Sequence, residues 1–127
     1  YEYFDQVRLI HTDGRPHLPA NAPHTKVGDS IGHWEGNTLV IDTDHLEAST
    51  ITNNGLDHSD NVHLVERYRL SPDRKHLEAS QWFSDPEMIT NNGARYIVWD
   101  SQPGQYINPY ECDPTLATEY QGVKAGN

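Results

Sequence analysis

Between Val62 and Leu70 the chain alternates with the period of a β-strand, and Gly36-Asn37 sits between two further alternating runs as a two-residue hairpin turn. No stretch shows helical periodicity. The sequence therefore predicts an all-β fold, a small antiparallel barrel or sandwich such as a jelly roll, as a single domain over 1–127. Its C-terminal part, 101–127, is rich in Pro, Gly and polar residues and is expected to be an irregular clasp.

On the strand through Val62, the residues Leu64, Glu66, Tyr68 and Leu70 share a face, while His63, Val65, Arg67 and Arg69 share the other. A carboxylate in the middle of an apolar face must be paired, hydrogen-bonded, metal-bound or protonated, because an isolated buried charge is too costly. Ser71 to Lys75 turns the chain, and the following strand pairs back. If Leu70 meets Leu77, then Glu66 meets Gln81 inside the same face. The pair is either a pocket or a hydrogen-bonded device that fixes register.

The first hairpin pairs Trp34 with Leu39 and His33 with Val40. Trp34, Leu39, Ile41 and Thr43 then share one face, and His33 and Asp42 the other. The run Leu39-Val40-Ile41 suits a strand covered on both sides. Tyr3 to His11 and Arg95 to Asp100 are two more strands. His17 to Asp29, with Pro19 and Pro23, reads as an extended loop packed over the body, its His17 and His24 taken as surface residues. His45-Leu46-Glu47-Ala48-Ser49 and Ile51-Thr52-Asn53-Asn54-Gly55 recur in order at 76–80 and 89–93, which suggests duplicated halves.

There are 19 acidic and 9 basic residues, a net charge of -10, which argues against nucleic acid or an anionic membrane as partner. Neutral polymers and small molecules remain. Cys112 is the single cysteine, so paired Cys ligands for a structural zinc are missing and no internal disulfide forms. The 8 histidines are either surface residues of a polar chain or, in part, metal ligands. No nucleophile-elbow signature supports a Ser-His-Asp hydrolase. A homodimer is the default for a sandwich with open sheet edges.

Thr12-Asp13-Gly14-Arg15-Pro16-His17, Gly32-His33-Trp34-Glu35-Gly36 with Thr38-Leu39-Val40, and His58-Ser59 with Leu64-Val65-Glu66-Arg67 resemble an exported family, itself uncharacterised, of soil bacteria. The resemblance spans roughly Tyr3 to Asp85 and implies a secreted or periplasmic protein. His11, His45 and Gln81 stand where that family more often has other residue types. His58, His63, Glu66 and Gln81 also have the residue types of compact cupin-like proteins that cleave cellulose oxidatively with copper. That looser resemblance implies one metal ion on interior strands.

Imidazoles suit copper, iron or zinc, and two or three of them with a carboxylate or amide suit a mononuclear oxidation centre. The candidate ligands are His11, His33, His45, His58 and His63, with Glu66 and Gln81 as catalytic groups. On an unbroken strand His63 points away from Glu66, so the two share a metal only if a bulge intervenes or His63 works from the opposite face. His11, in line with Val7 and Leu9, and His45, in line with Leu39 and Ile41, are the substitutes. Trp82, Trp99, Tyr106 and Tyr110 are candidates for a sugar-stacking platform. Three readings follow: a copper-dependent oxidoreductase cleaving a plant polysaccharide such as cellulose, a metal-free lyase or isomerase using Glu66 as acid or base, and a non-catalytic glycan- or small-ligand-binding module.

Overall fold

The computed structural model describes residues 6–52 and 56–108, side chains at 51 and 52 excepted. The expected clasp beyond 108, Tyr3, Tyr110, Cys112 and the first Asn-Asn-Gly turn lie outside the described residues. The chain divides into two compact units, Arg8–Pro103 and a second made of Tyr1–Val7 with Gly104–Asn127. The described part of the second unit contains no strand.

The unit Arg8–Pro103 is all-β. Its strands are β1 (Ile10–His11), β2 (Asp29–Glu35), β3 (Thr38–Asp44), β4 (Ser49–Thr52), β5 (Leu56–His58), β6 (His63–Leu70), β7 (His76–Ser84) and β8 (Gly93–Asp100). Six of them form one mixed sheet in the order β1-β2-β3-β6-β7-β8, and β4 pairs with β5 in a separate two-stranded sheet, in keeping with a small β sandwich. Only β1 runs parallel to its neighbour. The six-stranded sheet is thus an antiparallel meander with one short parallel strand at its edge.

Both expected hairpin registers are present. Trp34 pairs with Leu39 and His33 with Val40, while Glu66 pairs with Gln81 and Leu70 with Leu77. Gly36 supplies the positive φ, 61°, that the two-residue turn needs at its first position. The third strand is central, and its neighbours Val40 and Ile41 point to opposite faces yet are both buried, as the continuous apolar run requires. Val62, Leu64 and Ala79 complete the apolar core. Where Ser30 meets Thr43, the two buried hydroxyls hydrogen-bond at 2.9 Å.

Two details differ from the sequence expectation. In the first strand only Ile10 and His11 pair, alongside Ser30 and Ile31. The two copies of His-Leu-Glu-Ala-Ser also sit in unlike places. His76 to Ser80 opens β7, whereas His45 carries a left-handed backbone at φ 54° just past the end of β3.

Cross-strand partners point to the same side of a sheet. One face of the large sheet therefore carries Leu39, Ile41, Leu64, Glu66, Tyr68, Ala79 and Gln81. The other carries Asp29, Ile31, His33, Asp42, Asp44, Val65, Arg67, Ser80, Trp82 and Tyr96. The segment 12–28 is a strap that returns to β3 from this second side. Thr25 N donates to His45 O at 2.9 Å, Glu47 N donates to Thr25 O at 2.8 Å, and His24 Nδ1 donates to Leu46 O at 3.0 Å. Gly28 ends the strap at φ 67°, and a Cβ there would lie 2.5 Å from Asp44 O and 2.8 Å from Thr43 Cγ2.

Gly28→Ala is expected to destabilise the fold more than Gly36→Ala. Both force an L-residue into left-handed backbone at about 1–2 kcal/mol, but Gly36 has open space around it and Gly28 does not. Urea denaturation of the two variants measures the difference, and equal midpoints would refute it.

The buried Asp85 gives a second expectation. Burial opposes its charge, but Ser59 N at 2.6 Å, Ser59 Oγ at 2.9 Å, Glu87 N at 3.0 Å and Met88 N at 3.2 Å all donate to it and hold its carboxyl below the ordinary value. A depressed folded pKa stabilises fully above the unfolded value of about 4 and is lost as pH falls through the folded one. Asp85→Asn should cost about 1–3 kcal/mol at pH 7, and its gap to the parent should close on acidification.

Candidate functional site

The Glu66 side of the sheet is a closed polar network. Glu66 is 1% exposed. Its Oε1 accepts from Tyr68 Oη at 2.7 Å and from Gln81 Nε2 at 2.5 Å. Its Oε2 lies 2.6 Å from Arg8 Nη2, an ion pair in which no hydrogen bond is well aligned on that oxygen. Gln81 is in turn fixed by Arg95, whose Nε and Nη2 donate to Gln81 Oε1 at 2.8 and 2.5 Å. Tyr68 stacks on Trp99 with ring centroids 6.2 Å apart. Both carboxylate oxygens and both ends of the amide are engaged.

The opposite face assembles a different group. The Gly36-Asn37 turn sets a register in which Asp29 is opposite Asp44 and Asp42 is opposite Ile31. Alternation puts all three carboxylates on one side, and Pro16 and Pro19 bracket the part of the strap that places His17 among them. His17 Nδ1 is 3.0 Å from Asp29 Oδ2 and 3.1 Å from Asp44 Oδ1, and its Nε2 is 3.2 Å from Asp42 Oδ1. Leu18 N also donates to Asp29 Oδ2, at 3.0 Å. Among the described residues, His17, Asp29 and Asp44 form a group whose ligand atoms lie close enough together to hold one metal ion.

Protonation follows from these partners. Ionised carboxylates only accept, so a ring flanked by carboxylates at both nitrogens is satisfied only as imidazolium. Burial disfavours that charge on His17, but the bond to Asp29 and the charges of Asp44 and Asp42 outweigh it and raise the pKa. Asp29 is buried against its charge, yet Leu18 N and His17 hold its carboxyl below the ordinary value. His45 is held similarly: its Nδ1 donates to Asp44 Oδ1 at 2.7 Å and its Nε2 to Pro19 O at 3.1 Å. The Asp44 bond is the main cause of its raised pKa. A metal at His17 has to displace a proton.

The five histidines singled out from sequence fall in three places. His63 continues an unbroken β6 on the aspartate face, with Nε2 2.5 Å from Asp42 Oδ1 and away from Glu66. His11 pairs beside Ile31, on that same face. His33 also projects there, but it is exposed and its Nε2 is 3.1 Å from Glu35 Oε1. Strand parity would place His45 with Ile41, but β3 ends at Asp44 and the left-handed backbone turns the ring back onto that carboxylate. His58 closes β5 and donates from Nδ1 to Ser59 O at 2.9 Å. Glu66 and Gln81 hydrogen-bond each other, and among the described residues their other polar partners are Tyr68, Arg8 and Arg95 rather than any of these histidines.

His17, Asp29 and Asp44 were missed because the strap reads as a loop and single aspartates look like surface. The alternation Asp42-Thr43-Asp44 combined with the hairpin register was the available signal. Compared with family models, curated proteins and solved structures, the chain matches none.

Beside the cluster lies a groove of about 390 Å³, lined by His63, Val65, Arg67, Trp82, Ser84 and Asn92 among others. Trp82 is 47% exposed, and Tyr96, two rows along on β8, is 78% exposed. Trp99, expected to join Trp82 in a platform, is on the opposite face against Tyr68.

Glu66→Gln tests the closed network. The substitution keeps the shape but turns an amide toward Arg8, and it should cost about 3–5 kcal/mol, as breaking one side of a buried ion pair does. Thermal unfolding of Glu66→Gln and of Arg8→Gln measures this, and a loss below about 1 kcal/mol in both would show that the pair behaves as an exposed one.

Proposed function

We propose that this chain is a mononuclear metal-dependent oxidoreductase acting on a plant polysaccharide, with the metal held by His17, Asp29 and Asp44. The observation that carries this reading is the convergence of one imidazole and two carboxylates on a single part-buried point. It lies on the same sheet face as the open groove, whose lining residue His63 touches Asp42.

The donor set bears on which metal fits. One nitrogen and two carboxylate oxygens are a harder set than the histidine-rich one expected from sequence; they reverse the two-His, one-carboxylate ratio of the iron(II) facial triads, and their mixed imidazole and carboxylate character suits iron(II) better than a soft copper(I). We therefore favour iron over copper. A bound metal of this kind would supply one-electron activation of oxygen or peroxide. The chain's own residues would position it: Leu18 N fixes Asp29, while His45 fixes Asp44. The aspartate face would present the substrate, and the Glu66 network would keep the sheet register rather than enter the reaction.

A second reading, a glycan-binding module without turnover, is favoured by the exposure of Trp82 and Tyr96. The two readings differ in metal content. Anaerobic titration with Fe(II), and parallel titrations with Cu(II), Zn(II) and Mn(II), should reach one equivalent per chain for the parent protein. His17→Ala, Asp29→Asn and Asp44→Asn should each weaken binding at least tenfold, while His58→Ala should not. No retained metal in the parent would remove the oxidoreductase reading and leave the binding module.

A further inference from the structure

The groove has a chemical character unlike the rest of the chain. In a protein with 19 acidic and 9 basic residues, its lining among the described residues contains Arg67 and His63 and no carboxylate, Asp42 reaching His63 Nε2 from beside it. Arg67 is 47% exposed, and its ion pair is a distant one, Nη2 to Glu35 Oε2 at 3.9 Å. Its guanidinium is thus available to a ligand. Trp82 pairs with Val65 and Ala94 across the sheet, so its ring stands between an aliphatic residue and a small one. Ser84 and Asn92 contribute a hydroxyl and an amide at the other end.

Each of these groups selects a different part of one ligand. A guanidinium recognises a carboxylate in a planar, two-pronged geometry. An indole face stacks on the apolar face of a sugar ring. Hydroxyl and amide groups serve sugar hydroxyls. We infer that the groove binds a hexuronate unit, its carboxylate at Arg67 and its ring on Trp82.

The net charge decides what surrounds that unit. A chain of net charge -10 repels a polyanion along its length, whereas charges beyond about 8 Å are screened, so a single carboxylate at Arg67 meets chiefly the guanidinium itself and Glu35, 3.9 Å from it. The favoured ligand is therefore a sparsely charged glycan, one uronate among neutral sugars, and not a polyuronate. This specifies the substrate class of the reading above and rests on that reading only for its catalytic consequence, because binding in the groove needs no metal.

The test is calorimetric titration of the full chain with three oligosaccharides of similar length: an aldouronic acid with one glucuronate on a xylose chain, the neutral xylose oligomer, and an oligogalacturonate. Each titration is run with excess EDTA and again with one equivalent of Fe(II). The aldouronic acid should bind at least tenfold more tightly than either comparison ligand in both conditions. Arg67→Gln should abolish that preference while leaving residual binding of the neutral oligomer, and Trp82→Ala should weaken all three. Both positions are exposed, and circular dichroism melts confirm that the variants remain folded. Equal affinity for the neutral oligomer, tightest binding of the oligogalacturonate, or no binding of the aldouronic acid would each overturn the assignment. Failure to bind Fe(II) with the ligand preference intact would overturn the oxidoreductase reading alone.

Discussion

Three carboxylates that a strand register brings together repel one another, and the fold has to supply cations at that spot. Asp29, Asp42 and Asp44 are placed by pleat and hairpin register, with no freedom to separate short of slipping the pairing. His17 reaches all three, and His45 reaches Asp44 from the end of β3. Both histidines also tie the strap: His17 lies on it, and His45 accepts Thr25 N at its carbonyl and donates to Pro19 O from its ring. The electrostatics of the cluster and the position of the strap are therefore one problem with one solution. The left-handed backbone of His45, of order 1–3 kcal/mol in local strain, is offset by the hydrogen bonds that only this turn of the chain permits.

The two sides of the large sheet handle charge in opposite ways. On the Glu66 side a run of charged and polar groups hold one another, from Arg8 through Glu66 and Gln81 to Arg95. Such a chain specifies register, since a slip of one residue would leave a buried carboxylate facing nothing. On the aspartate side three carboxylates share one imidazole, and Trp82 and Arg67 beside them stay exposed. One face is held by fixed partners and the other is left open to solvent.

Much of the fold was legible because its governing signals are local. Alternation at Val62 to Leu70, the Gly36-Asn37 turn and the Ser71 to Lys75 turn fix both main hairpins, and from them the meeting of Glu66 with Gln81 and the divergence of His63 follow by parity. The site was less legible because it depends on a strap whose path no periodicity encodes. His17 reads as a loop residue until Thr25 is seen to pair with Leu46. His45 defeats parity because a single residue of positive φ reverses its direction. Arg8 was invisible as the partner of Glu66, being on a segment where only two residues of strand form.

The meander has a kinetic side. Pairings within β2-β3, β6-β7 and β7-β8 close short loops, whereas β3 reaches β6 across the whole segment that holds the small β4-β5 sheet, and β1 reaches β2 in parallel across the strap. Loop-closure entropy rises with the length closed, so local hairpins form ahead of long-range pairings. By that argument the three aspartates are expected to gather on an early hairpin, with the docking of the strap as the later step that brings His17 to them.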